Sequence, residues 1–189
     1  MHELTNDIDA CCKVLAEGGL ILYPTDTIWG IGCDATNNDA VKKIYQLKKR
    51  EEKKSMIILV ADEKNIFNYV ESPNEKLFAY LSSATKPTTV IYDHARNISS
   101  NLINSDGTIA IRIVKDDFCK QLITHFKKPI VSTSANISGE TFPKNFPEIS
   151  SEIKNGVDYI VQHRREDISV QPSSIIKLNN EGEIEILRS

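Results

Sequence analysis

Apolar residues first recur at helical spacing at Ile8, Cys11, Cys12 and Leu15, and Gly18-Gly19 supplies a stop. The short apolar run Leu20–Tyr23 then predicts a strand. Asn38 can cap a second helix, whose stripe is Val41, Ile44, Tyr45 and Leu47. The unbroken apolar run Ser55–Ala61 predicts a central strand, since a strand covered on both faces has no polar side to alternate. Glu75–Leu81 reads as helix and the β-branched Thr88–Asp93 as strand. Thr108–Val114 alternates cleanly, with Ile109, Ile111 and Ile113 on one face and Ala110 and Arg112 on the other. An amphipathic helix follows through Phe118, Leu122, Ile123 and Phe126, then a strand at Pro129–Thr133. Strands are predicted at Tyr159–Gln162, Ser173–Leu178 and Glu183–Leu187, the last two joined as a hairpin through Asn179-Asn180-Glu181-Gly182. Helices and strands interleave while the tail is all strand. The pattern therefore predicts one α/β domain, residues 1–189, with a twisted mixed sheet rather than a purely parallel one.

Composition supports a single core: 189 residues are 40% hydrophobic, and no Pro/Gly/Ser-rich linker marks a boundary. The net charge of -3, from 26 acidic and 23 basic residues, argues against a protein that coats nucleic acid, while leaving room for a local basic patch. The opening "MHELTNDIDACC" has no basic start and apolar core, and no run approaches the ~20 apolar residues of a membrane span. A cytoplasmic protein with no membrane partner is expected. Cys11, Cys12, Cys33 and Cys119 form no C-x-x-C and are expected to act as small buried hydrophobes in a reducing compartment. The four histidines lack metal-ligand spacing, so no protein metal cage is expected. There is no P-loop, no G-x-G-x-x-G and no G-x-S-x-G elbow, and no covalent nucleophile stands out.

Polar groups gather where strands and helices end, which is where open α/β sheets bind ligands. Pro24-Thr25-Asp26-Thr27 closes the first strand. Lys48-Lys49-Arg50, with Lys54, follows the second helix, either as a solvated charge run that complements the helix dipole or as an anion clamp. "STSANISG", Ser132 to Gly139, is either a capping turn or a loop of donors around a ligand anion. Arg112 is ordinary if its face meets solvent, and a carboxylate or phosphate partner if that face lines a cavity.

Taken in order, "YPTDTIWGIGCDA", a helix, Lys48 and Arg50, an apolar strand, "TIAIRIV", "PIVSTSANISG", "PSSIIKL" and the terminal "ILR" resemble the YrdC-like threonylcarbamoyl-adenylate synthases, from about Leu20 to Arg188. The resemblance implies a twisted, mostly antiparallel sheet with flanking helices around a large concave basic cavity. It implies that L-threonine, bicarbonate and ATP, with Mg²⁺, give threonylcarbamoyl-AMP and pyrophosphate for threonylcarbamoyladenosine in tRNA. By motif position, Lys48, Arg50, Ser134 and Asn136 carry the catalytic signature. Arg50, Lys54, Thr108, Ser134 and Arg188 would meet ATP, and Thr27, Arg112, Ser132 and Ser173 would hold threonine. Threonylcarbamoyl-transferase proteins would be downstream partners. The implied alternatives are a module binding double-stranded RNA or tRNA without turnover, and a carbamoyl-transfer module with another acceptor. The chain departs from the family where Lys49 replaces Gly, where Glu51 and Ser55-Met56 replace the usual Pro and Pro-Leu, and where Leu59 replaces a histidine of longer members. The sequence ends at Ser189, and the extra domain of those members is expected to be absent.

Overall fold

The computed structural model describes residues 2–52, 56–168 and 171–189, with side chains from residue 4 onward. Its first half runs α1 (His2–Ala16), β1 (Ile21–Tyr23), β2 (Gly30–Gly32), α2 (Asn38–Leu47), β3 (Ile57–Val60), α3 (Glu63–Tyr69) and α4 (Glu75–Ser83). The second half runs β4 (Thr88–Tyr92), β5 (Ile109–Ile113), α5 (Asp117–Phe126), β6 (Ile130–Ser134), α6 (Ser151–Asn155), β7 (Tyr159–Ile160), β8 (Ser174–Leu178) and β9 (Ile184–Arg188). The strands make one sheet in the order β7-β1-β2-β6-β3-β5-β4-β8-β9. Pairs β1/β7, β3/β5 and β4/β8 are parallel, and the other five are antiparallel, so the sheet is mixed and mostly antiparallel as expected.

Two apolar clusters lie on opposite faces of this sheet. On one, α2, α3, α4 and α6 contribute Val41, Ile44, Ile66, Leu77 and Ile153 against Ile58, Val90, Ile109 and Ile111. On the other, α1 and α5 bring Cys11, Leu15, Phe118 and Leu122 against Tyr23, Leu59 and Ile130. This second cluster takes nothing from β4 or β8. There the same face carries polar side chains instead, among them Thr89 directly across from Arg112 in the β4/β5 register.

The second helix is capped by Asn37, not Asn38: the Asn37 side chain accepts from the N–H groups of Asp39 and Ala40. Asn38 is the first helical residue, and its Oδ1 accepts the Ser99 hydroxyl at 2.6 Å. Cys11, Cys33 and Cys119 are buried, and burial pushes their thiols up, away from reactivity. Cys12 is only half-buried, at the margin of the stripe. Among the described residues, no helix is long and apolar enough to cross a membrane.

Candidate functional site

The polar ending of β1 turns Thr27 toward Arg112. The Thr25 hydroxyl donates to the Ile28 carbonyl at 2.8 Å and lies 2.9 Å from the Thr27 hydroxyl. With the Thr25 proton used on Ile28, Thr27 donates to Thr25 and keeps a lone pair for Arg112, whose Nη2 is 3.4 Å away. Asp26 Oδ1 forms an ion pair with Arg112 Nη2 at 3.0 Å, and both side chains are buried, 8% and 3% exposed. Asp26 Oδ2 accepts the Lys115 backbone N–H at 3.3 Å. The buried Arg112 Nε has no hydrogen-bond partner among the described residues. Arg112 therefore does not meet solvent, which sets aside one of the two sequence expectations for it.

Further along the sheet, Ser173 joins the same niche. Its hydroxyl lies 2.8 Å from that of Thr89, and its carbonyl accepts both Nε and Nη2 of Arg188 at 3.0 and 2.7 Å. Arg188 is made more acidic by burial first and by the charge of Arg112 second. Two guanidinium groups, Arg112 and Arg188, are thus close enough to feel each other's charge, and Asp26 is paired with Arg112. That excess of positive charge suits an anion.

Lys48 and "STSANISG", 86 residues apart in sequence, are locked together. Lys48 Nζ donates to the Ser134 carbonyl, to the Asn136 carbonyl at 2.6 Å and to Asn136 Oδ1 at 3.4 Å. The Ser138 N–H donates to the Lys48 carbonyl at 2.8 Å, and Asn136 Nδ2 donates to the Ile137 and Glu140 carbonyls. Lys48 is 1% exposed, so the solvated-run reading fails at this residue. Among the described residues of this basic cluster Lys49 does fit it, exposed and paired with Glu152 at 2.8 Å. Lys49 also sits at φ 50°, left-handed backbone that explains glycine at this place in the family pattern. Arg50 is half-buried, and burial lowers its pKa.

Burial, then the charge of Arg50, brings the Lys48 pKa down to about 7. Between that value and the ordinary 10.5, the unfolded chain holds a proton that the folded chain has released. Stability contributed through Lys48 therefore rises with pH across this window. Urea unfolding at pH 7 and pH 9 is expected to show wild type gaining stability relative to Lys48→Met as pH rises. An unchanged difference would contradict the buried, proton-shedding amine.

Glycines shape the wall between these groups. A Cβ on Gly30 would lie 3.2 Å from the Thr133 carbonyl and 3.4 Å from Ser132 Oγ, so its absence lets β2 approach Ser132. Ser132 is 9% exposed and reaches the Tyr23 phenol, which also donates to the Val131 carbonyl at 3.1 Å. Trp29 is buried and packs on Phe146 with ring centroids 5.0 Å apart, a packing role as its position in the motif suggests.

The structure thus gathers Thr27, Arg112, Ser173 and Arg188 into one neighbourhood, and Lys48, Ser134 and Asn136 into another at the end of β6. The Thr108 hydroxyl is engaged locally, donating to Asp106 Oδ1 at 2.7 Å and accepting from Asn104 Nδ2 at 2.9 Å. Lys54 lies outside the described residues. Among the described residues, no three His, Cys, Asp or Glu side chains converge on a metal position. Two members of the site were missing from the sequence-based selection. Asp26 was signalled by its place in the polar cluster, and Thr89 by facing Arg112 across two alternating strands.

The family model for Sua5, YciO and YrdC, described as "Telomere recombination", matches residues 13–189. A threonylcarbamoyl-AMP synthase from Pseudoalteromonas translucida is 33% identical over 171 residues, 89% of this chain and 91% of that protein. The fold matches the crystal structure of P. abyssi Sua5 complexed with L-threonine with a TM-score of 0.87 at 24% identity, over 98% of this chain. This chain spans 54% of that longer one. E. coli YciO matches with a TM-score of 0.83 at 20% identity, over 98% of this chain and 89% of the other.

Proposed function

Since the chain belongs to the Sua5/YciO/YrdC family, we propose that it is an L-threonylcarbamoyladenylate synthase, making threonylcarbamoyl-AMP and pyrophosphate from L-threonine, bicarbonate and ATP. The observation that carries this reading is Arg112, a buried arginine with an unpartnered Nε, set between Thr27 and Asp26 in a chain 33% identical to a threonylcarbamoyl-AMP synthase. A buried guanidinium edge without an acceptor is costly unless a ligand supplies one, and an amino-acid carboxylate fits its geometry. Thr27, Ser132 and Ser173 supply hydroxyls around the same substrate. Arg50, Lys54, Thr108, Ser134 and Arg188 take the nucleotide.

The chemistry needs placement more than a protein nucleophile. The threonine amine adds to CO₂ derived from bicarbonate, forming an N–C bond and releasing a proton. A carbamate oxygen then forms a bond to the α-phosphorus of ATP as the bond to the β-phosphate oxygen breaks, and pyrophosphate leaves. Arg50 offsets charge that builds on the phosphates. Lys48 acts one step back, holding the Ser134–Asn136 loop by its carbonyls so that the loop's hydroxyl and N–H groups face the nucleotide. Mg²⁺ fits as a passenger on the phosphates, supplying charge neutralisation when bound, because the neighbouring side chains are cations and hydroxyls rather than a carboxylate cage. The product would feed threonylcarbamoyladenosine formation in tRNA through a downstream transferase.

Incubation with ATP, L-threonine and ¹³C-bicarbonate is expected to yield threonylcarbamoyl-AMP carrying the label at its carbamoyl carbon, read by mass spectrometry. An unlabelled product, or AMP with no adduct, would overturn the assignment. Arg50→Ala is expected to slow pyrophosphate release by about 10²–10³-fold, the usual effect of removing one preorganised charge stabiliser. Full activity in that variant would remove Arg50 from the site.

A further inference from the structure

A cavity lined by none of Thr27, Arg112, Ser132, Ser173 or Arg188 lies next to the Arg112 niche and touches it through Lys115, whose backbone N–H meets Asp26. It encloses about 570 Å³, within the range of small-molecule sites, at the carboxyl ends of the parallel pair β3 and β5. Its floor is formed by Phe78 and Leu81 of α4 and by Ile113 of β5. Thr88 also lines it, and Thr88 and Ile113 each neighbour in sequence a residue of the Arg112 niche, Thr89 and Arg112. Alternation along a strand turns Thr88 and Ile113 to the face opposite Thr89 and Arg112. Ala61, Val114 and Lys120 reach the cavity from the α5 face, so it sits at the strand ends where the two faces meet.

The rim is cationic. Lys64, Lys86, Lys115 and Lys120 come from four separate segments and converge on it. Lys115 Nζ is tethered to the Ala84 carbonyl. Lys64, Lys86 and Lys120 have no ion-pair partner among the described residues. The two rim carboxylates, Asp62 and Glu63, offset only part of this charge, since four ammonium groups face two carboxylates. An apolar floor under a lysine rim is complementary to an amphiphilic anion, with the body desolvated and the head group held by several point charges.

We propose that this cavity is a second binding site, for a small organic anion: a carboxylate or phosphate monoester on an apolar or aromatic body. The site is separate from the nucleotide and amino-acid sites, and its occupancy does not depend on the function assigned to them.

The probe is 8-anilinonaphthalene-1-sulfonate, an aromatic anion that fluoresces when desolvated. Folded wild-type protein is expected to bind one dye, with no displacement by saturating ATP and L-threonine. The double variant Lys86→Glu/Lys120→Glu, at two exposed positions, is expected to weaken dye binding at least tenfold. Ser82→Trp, which places a ring into the cavity from an exposed wall position, is expected to abolish it. Phenyl phosphate and phenylacetate are the competitors, and whichever displaces the dye identifies the head group. No dye binding by wild type, displacement by ATP and threonine, unchanged affinity in the two variants, or a dye that neither competitor displaces would each overturn the site. Far-ultraviolet circular dichroism and thermal melting establish that the variants are folded.

Discussion

Arg112→Ala is expected to cost about 3–5 kcal/mol of folding stability, because it leaves the Asp26 carboxylate buried without its counter-charge. For a chain of this size that corresponds to a fall in melting temperature of roughly 10 °C. Removing Asp26 as well is expected to return most of the loss, since an uncompensated buried charge, rather than a missing attraction, sets the cost. Threonine use is expected to behave differently. Two charge-assisted hydrogen bonds to a carboxylate contribute about 3 kcal/mol together, so the threonine KM should rise about 100-fold in Arg112→Ala and stay high in the double variant. Stability that recovers while threonine affinity does not would separate the structural work of the pair from its ligand-binding work. Joint recovery of both would contradict the placement of threonine on Arg112.

Gly32→Ala is expected to be nearly as damaging, from a position that touches no substrate. A Cβ there would lie 2.7 Å from Tyr23 Cε1 and 2.8 Å from the Val131 carbonyl oxygen. A ring that packs in the core and a backbone carbonyl cannot both step aside, so β2 must move relative to β6. Overpacking of this kind costs about 1–3 kcal/mol, and here it is expected at the upper end. Displacing β6 also displaces Ser132 and Ser134, so catalytic rate should fall even in the fraction that remains folded. Gly139 is the comparison: a Cβ there meets nothing within 4 Å, and only its φ of +91° opposes substitution. Gly139→Asn is therefore expected to cost about 1 kcal/mol or less. Comparable melting temperatures for Gly32→Ala and wild type would show that the β1–β2–β6 contact is looser than its geometry.

Much of this arrangement was legible in the sequence where side-chain pattern and structure use the same period. Alternation in Thr108–Val114 placed Arg112 opposite three isoleucines, and the strand puts Ile109 and Ile111 in the first core cluster. Strand β2 was not legible, because Gly-Ile-Gly offers one side chain and low strand preference. Its glycines are there for closeness to Tyr23, Thr133 and Val131, a tertiary demand that no local pattern carries. Helices α3 and α6 were missed for a different reason: each buries one residue, Ile66 or Ile153, too few to display a period. The capping box of Asp62 with Asn65 was the available sign of α3. The Lys48 cage was also beyond reach, since its acceptors are mostly backbone carbonyls of a distant loop, and carbonyls leave no mark in a sequence.

The polar ends of β1 and β6 had a local explanation as turns, and the fold gives them a common one. Thr27 lies in the turn between β1 and β2 and Ser132 within β6, the strand next to β2, and Arg112 fills the same face where the α1–α5 cluster takes nothing from β4 and β8. Side chains that would be unremarkable singly become a ligand-sized set of donors when three strands present them together.

The most direct test of the account is an omission assay. Purified protein is given ATP, bicarbonate and L-threonine together, then each pair in turn, and pyrophosphate is measured. Release is expected only with all three present, because the carbamate that attacks the α-phosphorus is built from two of them. Pyrophosphate released at the same rate without threonine would contradict the account.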